Sequence, residues 1–328
     1  MALQIYAYMA HKGGVADDTT LEMITAAKAL DADASVTAIV MGSGADLDAV
    51  CTDVAATYSE VWKIGCDALA SPNAEINRVL LARVLPEGSV LLAPNDTFGM
   101  DLLPGLSIKL DTPFIPDVVG FEGIDGGVVT AVRQEYSGQV STHVQADISG
   151  GAVISTRAGV FKADESKSAG GQVTDKSADA LEGGAPESSR QFLEIVEAEA
   201  GDVDITKAEV LVSVGRGIED EDNLPIADEL AEAMGATVSC SRPIVDAKWL
   251  EKARQVGTSG QTVKPKVYMA LGISGSFQHL GGIKGSPFIV AVNKNTKAPI
   301  FQVAEVGIEA DILDFMPALT EKVKEMKG

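Results

Sequence analysis

The chain has 328 residues, of which 46% are hydrophobic and 5% aromatic, and this length predicts about two domains. It carries 47 acidic and 26 basic residues, a net charge of −21 at pH 7, which argues against binding to nucleic acid or to anionic membranes. Its three cysteines lack C-x-x-C spacing, so we expect a cytoplasmic protein with no disulfide framework and no metal site. No stretch approaches the ~20 apolar residues of a membrane span, so we expect no integral membrane segment.

Residues 3–95 alternate between strand and helix patterns, beginning at the N-terminus with a strand and not with a signal peptide. Strands are predicted over 3–10, 35–42, 60–65 and 89–95, and helices over 19–30, 46–56 and 74–85. The strands are apolar along nearly their whole length, which is typical of strands buried on both faces. We therefore predict a parallel sheet covered by helices, the core of an α/β domain.

The pattern changes in the middle of the chain. Residues 107–161 form short β-type runs separated by Gly and Asp turns, which predicts a meander appended to the first sheet. Residues 162–190 are rich in Ser, Ala, Gly and Asp, and we expect an exposed, flexible arm that buries little. A strand pattern returns over 191–200.

A second α/β block follows. Strands are predicted over 209–215, 235–241, 266–272 and 287–293, and helices over 223–234, 276–284 and 311–327. We therefore expect an N-terminal domain over residues 1–203 and a C-terminal parallel-sheet domain over residues 204–328.

Four loops of this block combine glycine, hydroxyl and basic residues. They are GRG (215–217), SCSRP (239–243), QVGTSGQT (255–262) and GISGSFQH (272–279). In an open parallel sheet the carboxyl ends of the strands converge on a ligand crevice. Helix N-termini and hydroxyl groups donate hydrogen bonds to anions there, and Arg216 and Arg242 add positive charge. The loops together predict a dinucleotide-sized anion site.

A long ordered series of motifs indicates which family has such a site. The series is VGRGI (214–218), SRPIVDAKW (241–249), RQVGTSGQTVKPKVYMALGISGSFQHLGG (254–282) and FIVAVNKNTKAPIFQVAEVGIEADI (288–312). With these motifs, residues 209–313 closely resemble the C-terminal FAD domain of the alpha subunit of electron transfer flavoprotein. The N-terminal part resembles the family in layout, which implies a nucleotide-hydrolase-like α/β domain that contacts a beta subunit. The resemblance implies a Rossmann-like parallel-sheet fold for the FAD domain.

The resemblance also implies which residues bind the cofactor. Those at the phosphate part are Arg216 and Ser241, and those of the loop that wraps the flavin are Val256, Gly257, Thr258 and Ser259. Those at the pyrophosphate and pyrimidine edge are Ser274, Gly275, Ser276, Phe277, Gln278 and His279. Those around the adenosine portion are Asn293, Asp311 and Ile312.

Three of the implied residues would adjust the redox potential of the flavin and would have no catalytic role in a substrate reaction. Arg242 resembles the family arginine above the isoalloxazine ring, Ser259 the hydroxyl residue at the N5 edge, and His279 the histidine near the C2 carbonyl. Reduction places negative charge on the N1–C2 edge, which a cation or strong donor stabilises by on the order of 1–3 kcal/mol. We expect Arg242 to be charged throughout and His279 to titrate in the physiological range.

The family resemblance implies an electron carrier and not an enzyme. FAD would accept electrons from a partner dehydrogenase and pass them to a quinone oxidoreductase or another acceptor. The chain would form a heterodimer with a beta subunit that holds AMP or a second FAD. Two alternatives stay open: the alpha subunit of an electron-bifurcating, NADH-dependent flavoprotein complex, and a nucleotide-binding module without redox function.

Overall fold

The computed structural model describes residues 3–136, 140–164, 166, 170–194, 203–283 and 287–327. The chain divides into two compact units, Met1–Leu193 and Glu194–Gly328. The domain boundary after residue 203 stays a prediction.

The first unit is built on a nine-stranded mixed sheet. Its strands, with a small hairpin formed by β2 and β3, are β1 (Gln4–Tyr8), β2 (His11–Lys12), β3 (Val15–Ala16), β4 (Ser35–Gly42), β5 (Glu60–Gly65), β6 (Val90–Pro94), β7 (Phe114–Asp125), β8 (Val128–Glu135), β9 (Val140–Asp147), β10 (Ala152–Thr156) and β11 (Gln172–Asp175). Its helices are α1 (Thr19–Leu30), α2 (Gly44–Val54), α3 (Ala74–Val84), α4 (Thr97–Leu110) and α5 (Ser177–Ala180). The strand order is β11-β5-β4-β1-β6-β10-β7-β8-β9.

This sheet confirms the predicted α/β class of the N-terminal half. From β11 to β7 in this order, neighbouring strands pair in parallel, and β7, β8 and β9 pair antiparallel, as the appended meander predicts. The meander prediction is wrong for β10, which lies within residues 107–161 but pairs in parallel with β6 and β7 inside the sheet. Helices α1 and α2 contribute to the core on one face, and α3 and α4 to the core on the other. Along β1, Ile5 and Ala7 belong to the first core and Tyr6 and Tyr8 to the second, because successive side chains of a strand point to opposite faces.

Helix α4 was not predicted from the sequence. The β-type run predicted from residue 107 begins too early, because residues 107–110 form the last turn of α4. The side chain of Asp96 caps this helix by accepting a hydrogen bond from the backbone N–H of Gly99 at 2.6 Å. Pro104 lies inside the helix, where proline removes a backbone donor and normally interrupts the pattern. Burial of apolar residues such as Leu103 outweighs that cost.

The prediction of an exposed arm over 162–190 is wrong for residues 172–180. Strand β11 pairs in parallel with β5 and extends the sheet, and Ala180 of α5 is fully buried. Further along, Arg190 forms an ion pair with Asp101. Polar composition does not exclude an edge strand, because such a strand exposes much of its surface. Residues 191–194 form no regular structure, and the rest of the strand expected over 191–200 lies outside the described residues.

The second unit has a sheet of five parallel strands. They are β12 (Val210–Val214), β13 (Thr237–Cys240), β14 (Val267–Leu271), β15 (Phe288–Asn293) and β16 (Val306–Glu309), in the order β13-β12-β14-β15-β16. Its helices are α6 (Leu224–Met234), α7 (Arg242–Asp246), α8 (Phe277–Leu280) and α9 (Ile312–Lys327). The predicted parallel-sheet domain is confirmed, whereas β16 was not predicted. Counted within the unit the order is 2-1-3-4-5, which reverses direction between β12 and β14.

Among the residues that the structure describes, no helix combines the length and the apolar character needed to cross a membrane.

Candidate functional site

A cavity of about 520 Å³ lies in the second unit, a size typical of cofactor and small-molecule sites. Its walls are the loops that follow strands β12, β13, β14 and β15. Between β12 and β14 the order in which successive strands join the sheet reverses, and ligands of doubly wound folds bind at such a switch point. The strand order therefore accounts for the position of the cavity.

The cavity brings most of the predicted binding residues together. From the first three loops come Arg216, Ser241, Arg242, Val256, Gly257, Thr258 and Ser259, and from the later ones Ser274, Gly275, Ser276, Gln278, His279 and Asn293. Lining residues that the sequence did not single out are Pro243, Asp246, Gln255, Gly272, Ile273, Asn295 and Ala298. All of these lie within or beside the four predicted loops or in the turn after β15. Their position in the sequence, next to the predicted strand ends, is the signal by which they could have been predicted.

Three predicted residues lie outside the cavity lining. Phe277 is 55% exposed, and Ile312 is buried in the core of the unit. Asp311 forms an ion pair with Lys294 at 2.7 Å and accepts a hydrogen bond from the backbone N–H of Leu313 at the start of α9. A role for these three residues at the adenosine or the flavin stays a prediction.

Glycines let the cavity loops pack against each other. Gly272, after β14, has φ +65° and lies so close to Gly217, after β12, that a Cβ at Gly272 would be 2.7 Å from the Cα of Gly217. A Cβ at Gly282 would be 2.3 Å from the backbone nitrogen of Gly257, which itself has φ +143°. Only glycine tolerates both the positive φ and this approach. These glycines therefore fix the walls of the cavity whether or not they also admit a ligand.

A buried glutamine holds the exposed hydroxyl of Ser259. Gln255 is 4% exposed, and its side-chain nitrogen donates to the Ser259 Oγ at 2.9 Å. The hydroxyl thereby accepts from the protein and keeps its own proton to donate. Ser259 can thus offer a hydrogen bond to an acceptor in the cavity.

Two arginines give this part of an acidic protein local positive charge. Arg242 is 68% exposed, and its Nε lies 3.4 Å from Asp246, a surface pair that contributes little binding energy by itself. Arg216 is exposed and has no ion pair among the described residues. Both side chains can bind phosphate or a ring oxygen through several N–H donors.

Helix starts add few backbone donors to the same cavity. Ser241 and Ser276 are the N-cap residues of α7 and α8, and neither side chain caps its own helix. Few N–H groups remain for a ligand, because Pro243 has none and the N–H groups of Ile244 and His279 donate to the Ser241 and Ser276 carbonyls. Asn293 has a structural contact instead: its amide nitrogen donates to the Ile273 carbonyl at 2.9 Å, which holds the loop after β14.

His279 is buried and neutral in this structure. It is 5% exposed, its Nε2 lies 2.8 Å from the Tyr268 hydroxyl, and its buried Nδ1 makes no hydrogen bond of normal geometry with a described residue. Burial lowers the pKa of His279 to about 4, and the backbone of Val256 opposes part of that shift. The expectation that His279 titrates in the physiological range is therefore wrong for the cavity as it stands, because desolvation disfavours the imidazolium.

These groups fit a nucleotide cofactor. An imidazole nitrogen that makes no hydrogen bond of normal geometry with a described residue, a hydroxyl with a proton to donate and two arginines provide hydrogen-bonding groups and charge for a ligand with phosphates and a polar ring. The fold and the cavity together define a nucleotide-cofactor-binding α/β protein.

Comparison with known proteins identifies the family. Residues 204–284 match the family model described as "Electron transfer flavoprotein FAD-binding domain", and residues 6–181 match the "Electron transfer flavoprotein domain". The chain belongs to the alpha-subunit family of the electron transfer flavoproteins, and with it to proteins of electron transfer.

Relatives from distant organisms support this assignment over nearly the whole chain. The electron transfer flavoprotein subunit alpha of Arabidopsis thaliana, named mitochondrial, is 33% identical over 97% of this chain and 88% of its own length. A probable mitochondrial subunit alpha of Cryptococcus neoformans var. grubii is 32% identical over 97% and 91%. The subunit alpha of Methylophilus methylotrophus is 36% identical over 90% and 91%. The cytoplasmic location of this chain stays a prediction.

Proposed function

We propose that this chain is the FAD-carrying subunit of a heterodimeric electron carrier. It would take electrons from a partner dehydrogenase and deliver them to a quinone oxidoreductase or another acceptor. One observation carries the proposal: the cavity at the β12/β14 switch point combines two arginines with a buried His279 whose Nδ1 makes no hydrogen bond of normal geometry with a described residue. An adenylate alone would have little use for a buried ring donor or acceptor next to a phosphate-binding loop.

The cofactor supplies an isoalloxazine ring that accepts and donates single electrons. In the proposed arrangement Arg216 and Ser241 hold the phosphates. Ser259, oriented by Gln255, donates its free proton to the ring edge. Arg242 supplies positive charge, and His279 offers Nδ1 at the pyrimidine edge.

A beta subunit is the proposed partner of the heterodimer. In this proposal it completes the flavin site and carries AMP or a second FAD. Phe277, which is 55% exposed at the start of α8, is then free to contact either the cofactor or that partner.

The test is a visible spectrum of the chain, purified with the beta subunit encoded beside it, during stepwise chemical reduction. A bound flavin that takes up electrons one at a time and does not react with NADH supports the carrier. A second flavin that NADH reduces would replace this proposal with electron bifurcation. A colourless heterodimer that holds only adenine nucleotide, and binds no added FAD, would refute the redox function.

A further inference from the structure

Three buried polar side chains form a continuous hydrogen-bonded chain that ends at the cavity. The Tyr268 hydroxyl on β14 lies 2.7 Å from the Ser213 Oγ on the neighbouring strand β12 and 2.8 Å from the His279 Nε2 on α8. Tyr268 and Ser213 are fully buried, and His279 is 5% exposed. The sheet register, which pairs Ser213 with Ala270, brings the two strands together at this level.

The chain of contacts leaves His279 one nitrogen for a ligand. Nε2 is occupied by Tyr268, while Nδ1 is buried and makes no hydrogen bond of normal geometry with a described residue. Buried polar atoms are nearly always hydrogen-bonded in proteins, and His279 lines the cavity. The Val256 backbone is close to the imidazole but makes no hydrogen bond of normal geometry with it, so a ligand in the cavity can be the partner of Nδ1.

We propose that Tyr268 is a positioning residue that commits Nε2 of His279 to the protein interior, holds the imidazole in one neutral tautomer and so presents Nδ1 to the cofactor. The identity of that cofactor rests on the proposed function, whereas the fixed tautomer does not. Ser213 supports Tyr268 in this role.

A single tautomer follows from the direction of the contacts: where Tyr268 donates its only proton to Ser213, Nε2 must carry the imidazole proton and donate to Tyr268. Each of the two hydroxyls has one proton, and a neutral imidazole has a proton on one nitrogen only. To move that proton between Nε2 and Nδ1, the Tyr268 hydroxyl must change from accepting at Nε2 to donating to it, and its contacts with Ser213 and Ser239 must rearrange at the same time. Tyr268 and Ser213 are fully buried, so water cannot take the place of either hydrogen-bond partner. Breaking one of these hydrogen bonds would leave a buried polar group unpaired, which is costly.

The experiment is ¹⁵N NMR of the full chain with its beta subunit, without flavin, labelled only in histidine. The chain has three histidines, His11, His143 and His279, and His279→Gln assigns the buried one by loss of its signals. We expect one protonated and one unprotonated ring nitrogen for His279. In Tyr268→Phe we expect averaged signals from two exchanging tautomers, or signals of the other tautomer.

Tyr58→Phe is the matched control. Tyr58 is another buried tyrosine, 2% exposed, whose hydroxyl donates to the Thr20 carbonyl at 2.6 Å in the first unit. It should leave the signals of His279 unchanged. Averaged His279 signals in the unmodified chain would overturn the proposal, as would unchanged signals in Tyr268→Phe. If Tyr268→Phe does not fold, Ser213→Ala serves in its place, with tautomer exchange expected and unchanged signals again contradicting the proposal.

A second measurement reads the effect on the ligand. The ratio of the FAD dissociation constants in the oxidised and reduced states should change by about two- to tenfold in Tyr268→Phe, the effect of one displaced hydrogen bond, and should not change in Tyr58→Phe. An unchanged ratio in Tyr268→Phe contradicts the positioning role. Failure of the unmodified heterodimer to bind any FAD would refute the proposed function instead, and the flavin-free NMR result would still decide whether the tautomer is fixed.

Discussion

A buried histidine beside a ligand site interacts with a ligand mainly by hydrogen bonding, because burial keeps its imidazole uncharged. His279 has its pKa lowered to about 4 by desolvation, so at neutral pH it enters the cavity uncharged. Positive charge at the cavity then comes from the arginines. Within the proposed function this separates two tasks: His279 selects and orients the ring edge, and Arg242 favours the negative charge of the reduced ring.

The lowered pKa of His279 makes stability depend on pH. An unfolded histidine has a pKa of about 6.5, so the unfolded state binds more protons than the folded one between that value and the folded pKa of about 4. The stability that neutral His279 allows is complete above pH 6.5 and is lost as pH falls toward 4. The loss at pH 5 relative to pH 7 should be about 2 kcal/mol.

Urea unfolding of the flavin-free chain at pH 7 and pH 5 measures this dependence. The variant His279→Gln lacks the titrating group, so its free energy of unfolding should fall by about 2 kcal/mol less than that of the unmodified chain over the same interval. The other titrating groups are common to both chains and cancel in the comparison. Equal pH dependence of the two chains would show that His279 is not buried and neutral in solution.

Arg242→Ala should change the redox balance of the proposed flavin more than its affinity. Removal of the guanidinium destabilises the reduced, more negative ring by about 1 kcal/mol, the low end for a charge-assisted contact at an exposed site. The midpoint potential should fall while FAD stays bound, as measured by potentiometric titration. Arg216→Ala should do the reverse and weaken FAD binding with little change in potential. A normal potential in Arg242→Ala would contradict the role assigned to Arg242.

At the scale of elements, the cavity depends on how closely two strand-end loops approach. Gly272→Ala places a Cβ 2.7 Å from the Cα of Gly217 and also forces alanine to φ +65°. The positive φ alone costs about 1–2 kcal/mol, and the backbone clash adds to it because neither loop can yield without moving a wall of the cavity. We expect a loss of stability above 3 kcal/mol, roughly, together with weaker FAD binding.

Gly235→Ala separates the two contributions. Gly235 ends helix α6 with φ +71°, but a Cβ there meets no atom within 4 Å. This variant should lose only the conformational part, about 1–2 kcal/mol, and bind FAD normally. Thermal unfolding and flavin titration of both variants make the comparison. Equal losses would mean that the contact between the loops after β12 and β14 does not shape the cavity.

Elements with a clear hydrophobic pattern could be predicted from the sequence. Elements whose hydrophobic pattern is interrupted or absent could not. Strands such as β4 and β6 are apolar nearly throughout, because helices cover both of their faces. Helix α4 was missed since Pro104 interrupts its pattern, and β11 was missed since an edge strand of sequence QVTD has no apolar run. Only the tertiary contacts, with the core in one case and with β5 in the other, form these two elements.

The same limit applies within the site. Glycine, serine and arginine after predicted strands indicated the loops that line the cavity, because strand ends converge in a parallel sheet. Gln255 lay within a predicted loop but was not singled out, and Tyr268 gave no such signal. Tyr268 sits in a strand as an ordinary core residue, and its hydroxyl gains a role only when β12 and α8 bring Ser213 and His279 to it.

At the scale of the whole molecule, the net charge of −21 and the two cavity arginines act over different distances. Salt screens exposed charges over about 8–10 Å, so the acidic surface adds little potential inside the cavity, whereas Arg216 and Arg242 lie in its wall. An anionic cofactor can therefore bind to an acidic protein. The surface charge instead governs the encounter with other proteins, whose association rates should depend on ionic strength.

Each of the two units has its own hydrophobic core on both faces of its sheet, and each unit should have its own unfolding transition. Leu271 on β14 and Leu92 on β6 are both fully buried on central strands of their sheets. Truncation of either to alanine should cost about 2–5 kcal/mol. Leu271→Ala should lower the transition that releases FAD, because β14 leads directly into the loop at Gly272 that lines the cavity.

Leu92→Ala should lower the other transition and leave FAD release at its normal temperature. Differential scanning calorimetry combined with flavin fluorescence distinguishes the two, since flavin fluorescence reports only the unit that holds the cofactor. A single transition that both variants lower equally would show that the units unfold cooperatively. In that case the binding energy of the cofactor would stabilise the whole chain and not the second unit alone.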